Sequence, residues 1–303
     1  MKFAILAALV AILPGGTAAQ AQEASAPPAV VSHSVRVGTA DRSYLLATPA
    51  NPSGPVPLVI ALHGGGGNAR TMVPRWIGTA QREGFAVAFP DGLGRMPNAG
   101  TWNAGGCCGF AMTSGTDDVA FIAALIDDIA RTQNIDPKRI YVTGLSNGGM
   151  LSHRIGIALA PRIAAIAVVS GAMFGGEPQP TTAVPVLIMH GERDDIVPFA
   201  GGQSPMQLVA RSQSRPFQPV QYDVDFWRRA DGCSTPPTMK TEGDVTTETS
   251  SCRDGSEVVF YRLASAGHTW PGPAAATGGL ERARYDAIDA TQVIWRFFSS
   301  HSR

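Results

Sequence analysis

The chain has no net charge, because 24 lysines and arginines offset 24 aspartates and glutamates among 303 residues. That balance gives no electrostatic footing for nucleic acid or for an anionic membrane surface. Aromatic residues are only 7% of the chain and do not cluster into a stacking platform. The apolar run at residues 3–13 is too short to span a bilayer. No Cys-x-x-Cys or His-x-x-x-His spacing occurs, so a zinc site has no support. The glycine run at 64–67 lacks the Gly-Lys-Ser/Thr ending that a phosphate-binding P-loop needs. There is no internal repeat, and no domain boundary is visible after the first segment.

What is present is 44% hydrophobic and only 16% charged, enough for one large core. Lys2, the apolar run, the Pro14-Gly15-Gly16 break and Ala19-Gln20-Ala21 read as an export signal over residues 1–21. A mature chain starting near Gln22 is then expected in the periplasm or the medium, with a flexible lead-in over 22–33 and one domain over 34–303. Four cysteines in an exported chain point to disulfides. Three pairings are open. Cys233 with Cys252, across a polar segment with little core, and Cys107 with its neighbour Cys108 are favoured.

Strand and helix patterns alternate along most of the chain. Residues 34–37 and 44–47 read as an antiparallel start, followed by continuous apolar strands at 58–62, 85–89, 140–142, 163–169, 184–189 and 258–263. Helical patterns cover 72–82, a segment capped by Thr116 with its stripe at Val119, Ile122, Ile126 and Ile129, then 150–159, 220–229 and 285–298. The fold class is therefore α/β, a mostly parallel sheet with helices on both faces and ligands at the carboxyl ends of its strands. The irregular, glycine-rich connection at 93–115 is long enough to suggest a functional role.

Gly144-Leu145-Ser146-Asn147-Gly148 stands between a buried strand and an amphipathic helix. That context makes it a nucleophile elbow, a tight strand-to-helix turn that lifts a serine hydroxyl above the sheet edge. A serine hydroxyl needs a base to take its proton and a group to orient the base. In such folds the partners follow in the order acid, then histidine, each after a later strand. Asp194 and Asp195 compete as the acid after strand 184–189, and Asp194 is preferred for its place in the first turn. Of six histidines, only His268 follows the last strand in a loop, and His190 reads as a packed structural residue. The oxyanion of the tetrahedral intermediate needs fixed donors, assigned to the N–H of Asn147 and of Gly65, with Gly66 as second choice. Trp102 and Trp270 are candidate pocket walls for an acyl or aryl group, with Met173 and Phe174 beside them, whereas Trp227 and Trp295 read as core. This chemistry requires no cofactor.

Leu62-His63-Gly64-Gly65-Gly66-Gly67-Asn68, Trp102-Asn103-Ala104-Gly105-Gly106-Cys107-Cys108-Gly109, the elbow, His190-Gly191-x-x-Asp194-x-x-Val197-Pro198 and Gly267-His268-Thr269-Trp270-Pro271-Gly272 together resemble the secreted polyhydroxybutyrate depolymerase/feruloyl esterase family of α/β-hydrolases. The resemblance runs from about the first strand to the final helix. It places nucleophile, acid and base on Ser146, Asp194 and His268, and it implies hydrolysis of hydroxyalkanoate or feruloyl esters. Only a final helix follows His268, so soluble esters or oligomers are expected rather than crystalline polymer. The other readings are a peptidase of the same fold, for which no amine anchor is recognisable, and a non-catalytic binding protein on the same scaffold.

Overall fold

The computed structural model describes residues 29–234, 236–273 and 284–303. The expected export signal and residues 22–28 of the lead-in lie outside the described residues. Ten strands form one sheet: β1 (Val30–Val37), β2 (Ala40–Ala47), β3 (Val56–Leu62), β4 (Ala86–Pro90), β5 (Ile135–Leu145), β6 (Ala165–Val169), β7 (Val186–Gly191), β8 (Thr238–Glu242), β9 (Val245–Ser251) and β10 (Glu257–Leu263). Their spatial order is β1-β2-β4-β3-β5-β6-β7-β10-β9-β8. The six central strands from β4 to β10 run parallel. The outer pairs at either end are antiparallel.

The helices are α1 (Val73–Glu83), α2 (Gly109–Thr113), α3 (Asp118–Thr132), α4 (Asn147–Ala158), α5 (Gln207–Ala210), α6 (Val220–Ala230) and α7 (Ala290–Ser299). Alternate residues of each central strand feed opposite cores. Leu58, Ile60 and Leu62 pack with Ile122 and Ile126 of α3, Ile155 of α4 and Trp227 of α6. Val59 and Ala61 pack with Trp76 of α1 and with Ile294 and Phe298 of α7. Every residue of β3, β4, β6 and β7 is buried. The continuous apolar runs in the sequence follow from this double coverage, because neither face of a central strand meets water.

Several elements differ from the sequence reading, among them β5, which begins at Ile135 rather than near residue 140. β1 begins at Val30, so residues 30–33 are paired strand rather than flexible lead-in; Val30 faces Ala47 and the His33 ring stacks on Tyr44 at 5.2 Å. The cap of α3 is Asp117, whose carboxylate accepts the Ala120 N–H at 2.9 Å, while the Thr116 hydroxyl meets Ser114 instead. α7 starts at Ala290 behind an Asp289 cap, and Tyr285 lies before it with its hydroxyl donating to Asp244. The polar segment between the cysteines contains the hairpin β8–β9, exposed throughout β8 and so without an apolar alternation to announce it. Cys233 is bonded to Cys252, and Cys107 to Cys108.

One polar contact ties the sheet to the loops above it. Arg42 of β2 donates to Asp118 of α3 at 2.8 Å with both side chains buried, and its guanidinium lies over the Phe121 ring. The second Asp118 oxygen accepts the Asn103 N–H at 2.7 Å. Burial pushes the Asp118 carboxyl upward, and Arg42 opposes that shift. Asp118→Ala would leave a buried, uncompensated guanidinium. It is expected to cost about 3–5 kcal/mol in urea denaturation. Asp41→Ala, which breaks the exposed pair with Arg36, should cost under about 1 kcal/mol by the same measurement.

Candidate active site

Ser146 follows the last residue of β5 and stands at the N-cap of α4 with φ 57° and ψ −120°. Few residues other than glycine occupy positive φ, so the surrounding packing must hold this conformation. Its N–H donates to Val169 O at 2.8 Å, tying the turn to the end of β6. The flanking glycines are steric necessities. A Cβ on Gly148 would lie 2.5 Å from His63 O, and one on Gly144 would overlap the Gly148 backbone. α4 therefore lies directly against the loop after β3.

That loop is 63–67, and it abuts the elbow. A Cβ built on Gly64 would be 3.6 Å from Ser146 Cβ, and one on Gly65 would be 3.7 Å from Asn147 Cβ. The Gly66 N–H is committed to Gly100 O at 2.8 Å, and that of Gly67 to Gly64 O at 3.0 Å. Of the two glycines considered as donors, Gly66 is thus occupied, and Gly65 lies opposite Asn147. Asn147 opens α4, and the first N–H groups of a helix have no partner within it.

Two side chains hold the loop. The His63 ring is fully buried; the Gly92 N–H donates to Nε2 at 2.9 Å, so Nδ1 carries the proton and donates to Gly64 O at 2.8 Å. Burial lowers its pKa to about 4, fixing the neutral form. Trp102 donates from its indole to His63 O at 2.8 Å, while its backbone exchanges two hydrogen bonds with the Asn147 amide at 2.7 and 3.0 Å. This frame joins three loops, and Asp118 and Arg154 extend it by holding Asn103.

Trp102 and Trp270 are therefore not the pocket walls the sequence suggests. Trp102 is wholly buried behind the glycine loop. Trp270 is buried against Trp76, with its indole donating to Thr291. Large rings placed in these loops serve as interior packing because each has a polar partner for its N–H. Trp227 and Trp295 are core residues, as expected. Met173 and Phe174 do line a cavity of about 300 Å³, together with Met150, His153, Arg154 and Arg215.

The acid and the histidine meet. His268 Nδ1 lies 2.8 and 3.0 Å from the two oxygens of Asp194, with both side chains buried. Asp194 Oδ1 also accepts the N–H groups of Ile196 and Val197 at 2.9 and 2.8 Å. Burial alone would raise this carboxyl, but His268 and His190 hold it far below the usual range. Asp195 is exposed, which separates the two aspartates. His190 is a supporting residue the sequence did not connect to the acid. Its Nε2 donates to Val197 O at 2.9 Å and sits 3.4 Å from Asp194 Oδ2. Burial lowers the His190 pKa and the Asp194 carboxylate raises it, with the net shift upward.

The parallel register places these groups on one edge. Leu145, Val169, Met189 and Tyr261 form a continuous row across β5, β6, β7 and β10. Ser146 directly follows that row, and Asp194 and His268 lie in the loops beyond it. Among the described residues no cluster of three or more His, Cys, Asp or Glu could hold a metal ion. The fold keeps His63 neutral down to about pH 4, whereas an unfolded imidazole protonates near 6.5. Its contribution to stability is full above 6.5 and is lost as pH falls toward 4, amounting to about 3 kcal/mol. Urea titrations across that range should show this fall in the parent chain. His63→Gln should be less stable near neutral pH and lose correspondingly less on acidification.

Comparison with known proteins bears on the same residues. The family described as Esterase PHB depolymerase matches residues 42–203, more than half of the chain and including Ser146 and Asp194. Feruloyl esterase B of Piromyces equi is 31% identical over 194 residues, covering 62% of this chain and 34% of that protein. Feruloyl esterase C of Emericella nidulans is 32% identical over 170 residues, covering 53% of this chain and 58% of that protein. The chain thus spans about a third and somewhat over half of the lengths of these two relatives. The solved acetyl xylan esterase from Aspergillus awamori superimposes with a TM-score of 0.55 at 16% identity, covering 78% of this chain and 94% of that one. The last likeness shows the fold, that of the α/β-hydrolases, and with the family match it fixes the classification: this chain belongs to the Esterase PHB depolymerase family.

Proposed function

We propose that the chain is an exported serine carboxylic-ester hydrolase acting on hydroxyalkanoate or feruloyl-type esters. The observation that carries this reading is the buried His268–Asp194 pair, at the same sheet edge as a serine held at positive φ on a strand-to-helix turn. Asp194 orients the imidazole by accepting from Nδ1, which leaves Nε2 as the basic nitrogen. Nε2 takes the Ser146 proton as Oγ adds to the ester carbonyl. The N–H groups of Gly65 and Asn147 stabilise the oxyanion. His268 then returns the proton to the leaving alcohol, and water, activated the same way, releases the acid and restores the serine. Every group in this cycle belongs to the chain, so it needs no cofactor.

The family and the esterase relatives support the ester as the scissile bond. Residues 1–21 support export, and among the described residues no helix is long and apolar enough to cross a membrane. A non-catalytic binding protein would leave the serine unreactive. Labelling by a fluorophosphonate probe, lost in Ser146→Ala, separates the two readings. A panel of hydroxybutyrate oligomers, methyl ferulate and acyl esters of graded length resolves the substrate class.

Ser146→Ala is expected to lower kcat on a p-nitrophenyl ester by about 10⁴–10⁶-fold. Asp194→Asn should cost about 10⁴-fold, because the amide no longer fixes the imidazole tautomer. Asp195→Asn should change kcat by less than about threefold, as substitutions of exposed side chains ordinarily do. A large loss at 195 with a small one at 194 would move the acid to Asp195.

A further inference from the structure

The cavity beside the elbow has a charge pattern that neither a plain acyl pocket nor a packing defect requires. Met150, His153, Arg154 and Ile157 line it at the spacing of one helix face, so it runs about 10 Å along α4 from a point one turn below Ser146. The Met150 N–H donates to Ser146 O, so the near end of the cavity lies one helical turn from the elbow. Met173 and Phe174 form the facing wall.

The walls are built in advance. A Cβ at Gly106 would overlap the Phe174 ring, so the loop after Trp102 is packed onto the loop after β6. Beneath, Asp223 accepts the Met173 N–H at 3.1 Å and lies 3.5 Å from His153 Nε2, and Trp227 donates to His153 Nδ1 at 3.0 Å. A preformed apolar cleft with a few fixed polar groups is the ordinary form of a ligand site.

Two cationic residues line it, Arg154 and Arg215. Arg154 leans toward the N-terminal end of α4 and donates to Asn103 O at 2.6 Å. Arg215 donates to Gly175 O at 2.7 Å. Their residues lie beside Gly105 and Gly106: a Cβ on Gly105 would be 3.8 Å from Arg154 Cδ, and the Arg215 backbone N–H donates to Gly106 O at 3.4 Å. Both guanidinium groups are held by carbonyls, which use part of their donors, and the Arg154 charge also acts on the Asp118 carboxylate. Glu177 also lines the cavity, its carboxylate accepting from the N–H groups of Phe174 and Gly175 and from the Tyr222 hydroxyl, so two arginines face one carboxylate there.

Apolar walls with two guanidinium groups fit an apolar chain that ends in a carboxylate. We propose that this cavity receives the leaving-alcohol part of the ester when that part carries a free carboxylate, so that acid-terminated oligomers of short hydroxy acids are preferred over the same oligomers with a neutral terminus. This rests on the ester-hydrolase reading. Water is added across the internal ester, the acyl part leaves as an acid, and the alcohol oxygen takes the proton from His268 and departs with its carboxylate still in the arginine-lined end.

The test compares 3-hydroxybutyrate dimers and trimers as free acids and as methyl esters, with internal-ester cleavage followed by chromatography and p-nitrophenyl acetate run in parallel. The full chain should show a kcat/KM about tenfold higher for the acids, mainly through KM and diminishing as salt is raised. Arg215→Gln should bring the acid-to-methyl-ester ratio close to one, and Arg215→Lys should retain most of it. Equal turnover of acid and methyl ester by the parent chain, or a fall in both alike in Arg215→Gln, overturns the proposal while leaving the esterase reading intact. Failure to hydrolyse p-nitrophenyl acetate or any oligomer overturns the esterase reading, and the proposal falls with it.

Discussion

The site depends on one buried carboxylate kept charged. Asp194 is withdrawn from water and would be neutral if nothing compensated the burial, since desolvation penalises an ion far more than a dipole. It is charged because four groups meet it: two backbone N–H donors from the turn it begins, the His268 imidazole, and His190 from beneath. The two N–H bonds are local, so the turn at 194–197 forms and orients its own carboxylate. His190 is also near in sequence, four residues earlier at the end of β7. His268 is not: it arrives from the loop after β10, which pairs in parallel with β7. The imidazole that meets Asp194 at 2.8 Å is thus a consequence of sheet topology.

The Ser146 half is held by different means. Ser146 is confined by backbone approach: glycines at 144 and 148 let the elbow press against the strand below and the loop after β3. The cost of its positive φ, on the order of 1–3 kcal/mol, is offset by the Ser146–Val169 bond and by the Trp102–Asn147–His63 frame. That frame reaches the Arg42–Asp118 pair through Asn103. The first antiparallel strands, far from the chemistry in sequence, therefore stiffen the loop that borders the serine.

Much of this was legible in the chain. A continuous apolar run means a strand covered on both faces, and each central strand was readable for that reason. The strand-to-helix turn at Ser146 was readable because its geometry restricts residue type, and Asp194 and His268 do lie in contact, in loops after the two later strands expected. The sequence preferred Asp194 to Asp195 for its place in the turn, and in the structure Asp194 is buried against His268 while Asp195 is exposed. Trp102 and Trp270 were misread because a loop tryptophan looks exposed when its tertiary hydrogen-bond partner, a carbonyl or a threonine far along the chain, is invisible. The β8–β9 hairpin was missed because both its faces are polar, which removes the period on which strand recognition relies. The contribution of His190 to Asp194 was out of reach, since a separation of four residues across the end of a strand says nothing about which way two side chains turn.

The two halves of the site should respond differently to solution conditions, for a reason internal to the fold. Charge-assisted hydrogen bonds fix the Asp194–His268 half. Sterics and neutral hydrogen bonds fix the serine half, and there His63 is the one frame imidazole, kept uncharged by its burial. Protonating His63 would convert Nε2 from acceptor to donor against the Gly92 N–H, setting two donors face to face in the interior. The loop beside the serine therefore stays ordered only while that ring is neutral. Its depressed pKa places the loss of order below the ordinary titration of an exposed histidine, so that over the intervening range the loop geometry and the charge of the acid can both persist.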